Sequence, residues 1–357
     1  MNTLNYRGLP RAPGWLRATL VLLLLGGCGG GVDSGGTGGA AVYASGPING
    51  FGSIIVNGVR FDDSSSALDV RDDDGGLRSK SELKLGMVVE VRGSTITTDV
   101  SGVRSSTASS ITLGSEIVGP IGAGFNPAAT TFVVLGRNID VQPTTVFADV
   151  GGMGGLAQGQ VVEVYGLYNA FTDRFTATRI ERKFGAVSTY RIRGPITIPV
   201  PGTPRFLIGS ELIDYSTLVG GNLPANLTNG TVVRVRFSAS QTTAGVWNAT
   251  QLRDGTSRPD DGQHSKLEGL IDGYTATGFS IAGIPVTTQG VIPIPAGSVL
   301  NNGVRVEVEG TFINGALAAS SIEVEDDFGN PEFEFHGPVE AVTPTTLAIH
   351  GVNISYD

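Results

Sequence analysis

The sequence predicts an all-β fold built from tandem small antiparallel barrels, each with about five strands. Two observations support this prediction. Apolar residues make up 40% of the chain and fall in short runs that alternate with polar residues, while glycine is very frequent, at 53 residues. In addition, four short motifs recur in the same order roughly every 70 residues, as expected of a repeat protein.

The first two motifs are an opening tripeptide and a hairpin turn. The tripeptide reads Gly46-Pro47-Ile48, Gly119-Pro120-Ile121, Gly194-Pro195-Ile196, Gly269-Leu270-Ile271 and Gly337-Pro338-Val339. The hairpin turn follows at Val56-Asn57-Gly58-Val59, Leu135-Gly136-Arg137, Ile208-Gly209-Ser210, Ile281-Ala282-Gly283-Ile284 and Ile349-His350-Gly351-Val352. Asn-Gly favours a type I′ turn because both central residues need a positive φ. Together these motifs predict the first strands of each unit.

The third motif is a strand in which valine alternates with charged residues. It spans 85–93, 159–166, 230–237 and 303–310, and the alternation predicts a strand with one buried face. The fourth motif, Ala-x-x-Ile or Ala-x-x-Leu, closes each unit with another strand. Its copies are Ala108/Ile111, Ala177/Ile180, Ala249/Leu252 and Ala319/Ile322.

These motifs divide the chain into four complete units and an incomplete fifth. We expect a signal peptide at 1–27, a glycine-rich tether at 28–44, complete units at 45–116, 117–190, 191–266 and 267–335, and an incomplete unit at 336–357. An OB-like five-stranded barrel is the preferred architecture, because closure removes exposed strand edges. The alternatives are a small sandwich and units that share a sheet across their junctions.

The fifth unit contains only the opening tripeptide and the hairpin turn. Half a barrel cannot bury a core of its own. We therefore expect this segment to pack on the fourth unit or to be poorly ordered. An alternative is that the sequence is an incomplete version of a longer protein.

The N-terminus has the features of a secretory signal. Residues 1–17 carry three arginines and no acidic residue, and residues 18–25 form an apolar run that is too short to span a bilayer. Leu25-Gly26-Gly27 precedes Cys28 and resembles the lipobox of bacterial lipoproteins. That resemblance implies a covalent lipid on Cys28, and Gly29 after it favours the outer membrane. The alternative is an ordinary signal with an incidental cysteine.

The four repeated motifs together resemble a bacterial family known only as domain of unknown function 5666. The resemblance covers about residues 45–357. Members of that family are often predicted lipoproteins with tandem copies, which agrees with the motif around Cys28. The family has no assigned catalytic residues, so the resemblance implies none for this chain.

The composition excludes several classes of function. The net charge is -9 and no basic stripe is present, so we expect no nucleic-acid partner. A single cysteine excludes an internal disulfide and a cysteine-based metal site.

No recognised catalytic motif occurs. The sequence has neither a Gly-x-Ser-x-Gly turn nor a His-Glu-x-x-His motif, and His264, His336 and His350 stand where other units have unrelated residues. We therefore expect a protein that is not an enzyme and has no cofactor beyond the lipid on Cys28. The acidic clusters at 72–74 and 323–327 suggest calcium, but the first lacks the spacing of a calcium loop. We interpret it as a solvated hairpin tip and expect no metal.

One aromatic cluster stands out around a hairpin of the second unit: Tyr165, Tyr168, Phe171 and Phe175. Aromatic side chains on a loop can stack on sugars or become buried in a partner. Tyr168 and Phe171 are therefore the candidate ligand-binding residues. The alternative is that these rings cover the end of the barrel or the next unit.

These observations favour a non-catalytic, lipid-anchored envelope protein whose tandem units bind a partner or act as a scaffold. The expected partners are the membrane, through the lipid on Cys28, and an envelope protein or a glycan. We expect the outer membrane as its location, on the periplasmic or the surface face. Two alternatives are a secreted or surface hydrolase that uses carboxylates, and a calcium-stabilised adhesive stalk.

Overall fold

The computed structural model describes residues 41–218, 223–241, 243–325, 333–349 and 352–356. The expected signal peptide, Cys28 and His350 lie outside these residues. The described chain is all-β, as predicted, with short 3-10 helices at Lys80–Glu82, Met153–Gly155 and Ser216–Leu218. Within it, no helix has the length and apolar character needed to cross a membrane.

The first unit forms a closed barrel. Its strands are β1 (Val42–Phe51), β2 (Ile54–Val56), β3 (Val59–Asp62), β4 (Asp69–Asp72), β5 (Val88–Gly93), β6 (Thr97–Thr98) and β7 (Arg104–Leu113). Five of them pair in the order β1–β2–β3–β7–β5, and β5 pairs back to β1. The pairings in this ring are antiparallel except for β3–β7, which is parallel. The ring leaves no free edge around the core.

The next three units repeat this order of pairing. Unit 2 contains β8 (Ile117–Pro120), β9 (Thr131–Val134), β10 (Arg137–Ala148), β11 (Val161–Asn169) and β12 (Arg174–Arg182). Unit 3 contains β13 (Thr189–Pro195), β14 (Arg205–Ile208), β15 (Glu211–Asp214), β16 (Val232–Ser238) and β17 (Val246–Asp254). Unit 4 contains β18 (His264–Thr275), β19 (Gly278–Ile281), β20 (Ile284–Thr287), β21 (Arg305–Ile313) and β22 (Ala316–Val324).

In each of units 2 to 4 the first strand pairs with the fourth, the fourth with the fifth, and the third runs parallel to the fifth, as β1, β5, β7 and β3 do in unit 1. The units differ in how their first and second strands meet. In unit 4, β18 and β19 form a ladder, whereas units 2 and 3 have only the isolated bridges Ile121–Val134 and Thr197–Leu207. Units 2 and 3 are therefore half-barrels that are less completely closed.

Close packing explains the opening glycine of the first motif. A Cβ atom on Gly119 would lie 2.4 Å from the side chain of Leu135 in the hairpin turn of the same unit. The equivalent contacts are Gly46 with Asn57, Gly194 with Ile208, and Gly269 with Ile281. The hairpin thus folds over its opening strand at the same place in units 1 to 4, which links the first two motifs.

A β-bulge recurs in the last strand of units 1 to 4, where one extra residue, Ser109, Thr178, Thr250 or Ser320, stands opposite the end of the third motif. The register shifts occur at Arg92/Gly93, Tyr165/Gly166, Arg236/Phe237 and Glu309/Gly310. A bulge increases the local twist and bends the strand, which helps a short strand curve around a small barrel.

The units are also joined by shared sheets. Strand β1 runs parallel to β18, with Val42 opposite His264, and β8 runs antiparallel to β13, with Ile117 opposite Ile192. The barrel and the shared sheet, which the sequence left as alternatives, therefore occur together. Contacts group all the described residues into one compact unit.

The fifth segment contacts the first unit. Strand β23 (Glu334–Phe335) pairs in parallel with the end of β1, and β24 (Ala341–Val342), β25 (Thr346–Ile349) and β26 (Val352–Ser355) form a separate three-stranded sheet. Strand β23 precedes the expected fifth segment (336–357), whose first residue, His336, donates its backbone N–H to the carbonyl oxygen of Phe51 at the end of β1. The start of this segment therefore lies against the first unit, because the C-terminal half of β1 offers a strand edge there.

Candidate functional site

The valine–charge strands bury their charged faces as well as their valines. The side chains of Glu163, Arg234 and Glu307, which are equivalent in units 2, 3 and 4, are only 13%, 14% and 13% exposed. The intervening valines face the barrel cores. The expectation of a single buried face is therefore wrong at these strands, because neighbouring units cover the charged face.

The acidic residues at 72–74 lie in this covered region, at the end of β4. The side chain of Asp73 is fully buried, and its carboxylate lies 3.0 Å from Arg234 Nε and 3.3 Å from Arg191 Nη1. Its oxygens accept no hydrogen bond of good geometry, so these contacts are ionic. The interpretation of this cluster as a solvated hairpin tip is wrong, because arginines from unit 3 cover it.

Unit 3 presents these arginines as a continuous basic face. On strands β13 and β16, Arg191 stands directly opposite Arg236, and Arg193 stands opposite Arg234. Like charges directly opposite each other destabilise a sheet. Carboxylates from other units compensate them: Asp74 pairs with Arg191 and Arg236, and Glu116 pairs with Arg193 at 2.8 Å.

Burial and charge act in opposite directions on this network. Burial raises the pKa of Asp73 above its usual value, although Arg234 and Arg191 oppose the shift. For Arg193, burial alone would lower the pKa, but the Glu116 carboxylate raises it overall. The partner of the buried Arg193 is therefore a carboxylate from outside unit 3, at the end of unit 1.

The carboxylates of Asp72, Asp73 and Asp74 lie within 4.8 Å of one another, close enough to share one cation. However, Arg78, Arg191, Arg234 and Arg236 already contact them. A divalent ion would add positive charge to a position surrounded by guanidinium groups. The cluster therefore suits an ion-pair network better than a calcium site.

Unit 4 presents the opposite charge. Three glutamates form a row across its strands: Glu307 on β21 stands opposite Glu268 on β18 on one side and opposite Glu323 on β22 on the other. Lys266 pairs with Glu307 at 2.5 Å, and Arg305 pairs with Glu268 at 2.5 Å. The pKa of Glu307 is nevertheless raised, because burial and the neighbouring glutamates outweigh Lys266.

Glu325 and Glu309 show the two extremes on this acidic face. Burial, together with Glu268 and Glu307, raises the pKa of Glu325 to about 7. Burial would also raise the pKa of Glu309, but hydrogen bonds from His264 and Arg104 lower it well below its usual value. The positively charged side chains on this face are therefore unevenly distributed. They stabilise the carboxylate of Glu309 more than that of Glu325.

The candidate residues Tyr168 and Phe171 occupy different environments. Tyr168 is half-buried, and its hydroxyl donates a hydrogen bond to Asp173 Oδ1 at 2.7 Å. Phe171 lies on the hairpin and is 67% exposed. Tyr165 packs into the core of unit 1, and Phe175 into the core shared by units 2 and 3. The four aromatic residues therefore do not form one exposed platform.

Arg137 is a buried residue that the sequence reasoning missed. Its guanidinium forms two hydrogen bonds to Asp173, at 3.0 and 2.6 Å, and lies 5.4 and 5.3 Å from the ring centroids of Tyr168 and Phe175. The hairpins of the other units have Val59, Glu211 and Ile284 at this place, the first residue after the turn. Comparing repeats position by position would have singled out this arginine.

The described histidines do not share a site. His264 lies 2.9 Å from Glu309 on unit 4, whereas His336 contacts Glu334 and Arg60 near the start of the fifth segment. Both contacts involve carboxylates that hold β-strands together.

The sequence profile of the domain of unknown function DUF5666 matches residues 118–181 and 268–323. These two matches coincide with units 2 and 4. The chain resembles the DUF5666 family in two tandem regions. The resemblance predicted from the repeated motifs is thereby confirmed, while no curated protein matches the chain.

Proposed function

We propose that this protein is a non-catalytic scaffold of the bacterial cell envelope, anchored to the outer membrane by a lipid on Cys28. Its body consists of four complete OB-like barrels and a truncated fifth. An envelope protein or a glycan is the partner that such a scaffold would hold, and the DUF5666 resemblance is compatible with this role without assigning it.

One observation supports the proposal most directly: the buried charged groups are used to hold units together. Asp73 of unit 1 contacts Arg191 and Arg234 of unit 3, and Glu116, the last residue of unit 1, pairs with Arg193. A hydrolase needs an acid and a base that can reach a substrate and exchange protons with it. Charged groups that are fixed in ion pairs between units instead hold those units rigidly together.

The shared sheets support the same role. Strands β1 and β18 join the first and fourth units, although more than 200 residues separate them in sequence. A scaffold gains from such closure, because it presents several binding surfaces in a fixed arrangement and loses less entropy when a partner binds.

The anchor is tested by intact-protein mass spectrometry and membrane fractionation of the wild type beside Cys28→Ser. We expect a lipid-sized mass on the wild type, which sediments with membranes, and neither property in the variant. A soluble, unmodified wild type would refute the lipid anchor. A rise in Tm on adding calcium would instead favour a calcium-stabilised stalk, and hydrolysis of a glycan would favour a carboxylate hydrolase.

A further inference from the structure

A continuous groove runs between the first and second units. It consists of two adjoining cavities of about 590 and 850 Å³. Both cavities are lined by Ser81, Lys84, Ala148 and Arg179, so they meet along this shared wall. Each is within the size range of known small-molecule sites.

The two halves of the groove differ in character. The smaller cavity is lined by charged side chains, including Arg78, Glu82 and Glu163. The floor of the larger cavity is apolar and is built from Leu83, Leu85, Val146 and Phe147. A groove with one polar and one apolar half matches a ligand that has a polar head and a hydrocarbon tail.

Lys84 lies at the boundary between these halves and carries the free positive charge. Neighbouring cations are already paired: Lys80 with Asp63 at 3.0 Å, and Arg179 with Glu181 at 2.6 Å. Lys84 is exposed and forms no ion pair with the part of the chain that the structure describes. In a chain of net charge -9, this is a local site for an anion.

We propose that the groove binds an amphipathic anion, with its acyl chain along Phe147 and its carboxylate or phosphate beside Lys84. This inference rests on the proposed binding role of the scaffold and specifies its ligand class. An acidic glycan is the competing occupant, but it has no long hydrocarbon part to cover Leu83, Val146 and Phe147.

The test uses the mature chain carrying Cys28→Ser, so that its own lipid cannot compete. Binding of laurate, dodecyl phosphate and neutral monolaurin below their aggregation concentrations is measured by titration calorimetry. Inorganic phosphate and an oligouronate serve as probes without a hydrocarbon tail. We expect laurate or dodecyl phosphate to bind, and the stronger of the two to identify the head group.

Two variants locate the ligand. Lys84→Gln should weaken binding of the anionic amphiphiles roughly tenfold, as expected for the loss of one charge-assisted contact, and leave monolaurin unchanged. Phe147→Ser should weaken all three amphiphiles. Arg205→Gln removes an exposed, ion-paired cation from unit 3 and should change none of them.

The inference is overturned if a folded protein binds no amphiphile, if neither Lys84→Gln nor Phe147→Ser alters binding, or if only the oligouronate binds in a Lys84-dependent manner. These outcomes would leave the lipid on Cys28 and the scaffold intact. Conversely, failure of the membrane fractionation would remove the anchor without affecting laurate binding. The two proposals can therefore fail separately.

Discussion

Asp73 connects the first and third units through buried ionic contacts. Its buried carboxylate lies between Arg191 and Arg234. Replacing it with asparagine leaves two arginines facing each other in a poorly solvated site, and removing one partner of a buried pair typically costs about 3–5 kcal/mol. We therefore expect Asp73→Asn to lower the free energy of unfolding by about 3 kcal/mol in urea titrations.

Asp69→Asn is the matched control on the same strand. Asp69 pairs with Arg71 at 2.7 Å, but both side chains are more than 40% exposed. Exposed ion pairs contribute about 0–1 kcal/mol, so this variant should stay close to the wild type. Equal effects of the two substitutions would mean that water reaches Asp73 and that the buried network adds little.

The raised pKa of Glu325 predicts that the stability of the protein depends on pH. Its pKa in the folded protein is raised to about 7, compared with 4.5 for an ordinary glutamate. Between these pH values the folded state binds more protons than the unfolded state, so stability falls as the pH rises from about 4.5 to 7. Because Glu325 is partly exposed, we expect Glu325→Gln to gain only about 1 kcal/mol at pH 8.

The comparison of unfolding at pH 4 and pH 8 checks this sign. At pH 4 the glutamate is protonated in both states, so wild type and Glu325→Gln should have similar stability. A variant that is less stable than the wild type at pH 8 would show that the Glu325 carboxylate has a favourable partner.

The charged residues could be identified from the sequence, but their burial could not be predicted from it. Asp72, Asp73 and Asp74 form an obvious acidic run, yet the unit 3 arginines that bury Asp73 lie more than 110 residues later. Solvation is decided by this long-range contact, which no local pattern encodes. The same limit applies to Tyr168, whose exposure depends on Arg137 and Asp173.

At the scale of strands and turns, Gly86 and Gly159 provide a matched pair. Both begin the third motif and have positive φ values of 77° and 79°. A Cβ atom at Gly86 would lie 2.6 Å from the carbonyl oxygen of Thr178 in unit 2, whereas nothing lies within 4 Å of one at Gly159. The first glycine is therefore constrained by backbone conformation and by a neighbouring unit, and the second by conformation alone.

We expect Gly159→Ala to destabilise the protein by about 1–2 kcal/mol, the cost of a left-handed alanine. Gly86→Ala should cost about 1–3 kcal/mol more, because the close approach forces a shift between units 1 and 2. Chemical denaturation of both variants measures this difference. Equal costs would show that the junction can relax around an added methyl group.

Elements with local signals were predicted well. The Asn57-Gly58 turn has positive φ at both residues, and the valine–charge strands lie where their alternation placed them. Junctions were not predicted, because pairing between β1 and β18 requires knowing which of several similar strand edges meet. In a repeat protein the local pattern is equally compatible with many such pairings.

At the scale of the whole molecule, units of opposite charge are packed together. Unit 3 contributes Arg191, Arg193, Arg234 and Arg236, while unit 1 contributes the carboxylates that neutralise them. Identical repeats could not do this, because their faces would repel. Divergence of the charged positions, with the valines retained, therefore gives each unit a preferred neighbour.

This arrangement predicts that the units unfold together. Shared strands join units 1 and 4 and units 2 and 3, and the Asp73 network joins units 1 and 3, so no unit can open without breaking contacts in another. Differential scanning calorimetry of the Cys28→Ser chain should show one transition with equal calorimetric and van't Hoff enthalpies. Asp73→Asn should move that whole transition to lower temperature. Two or more separate transitions, or a shift confined to one of them, would mean that the barrels are independent and that the scaffold is a flexible string.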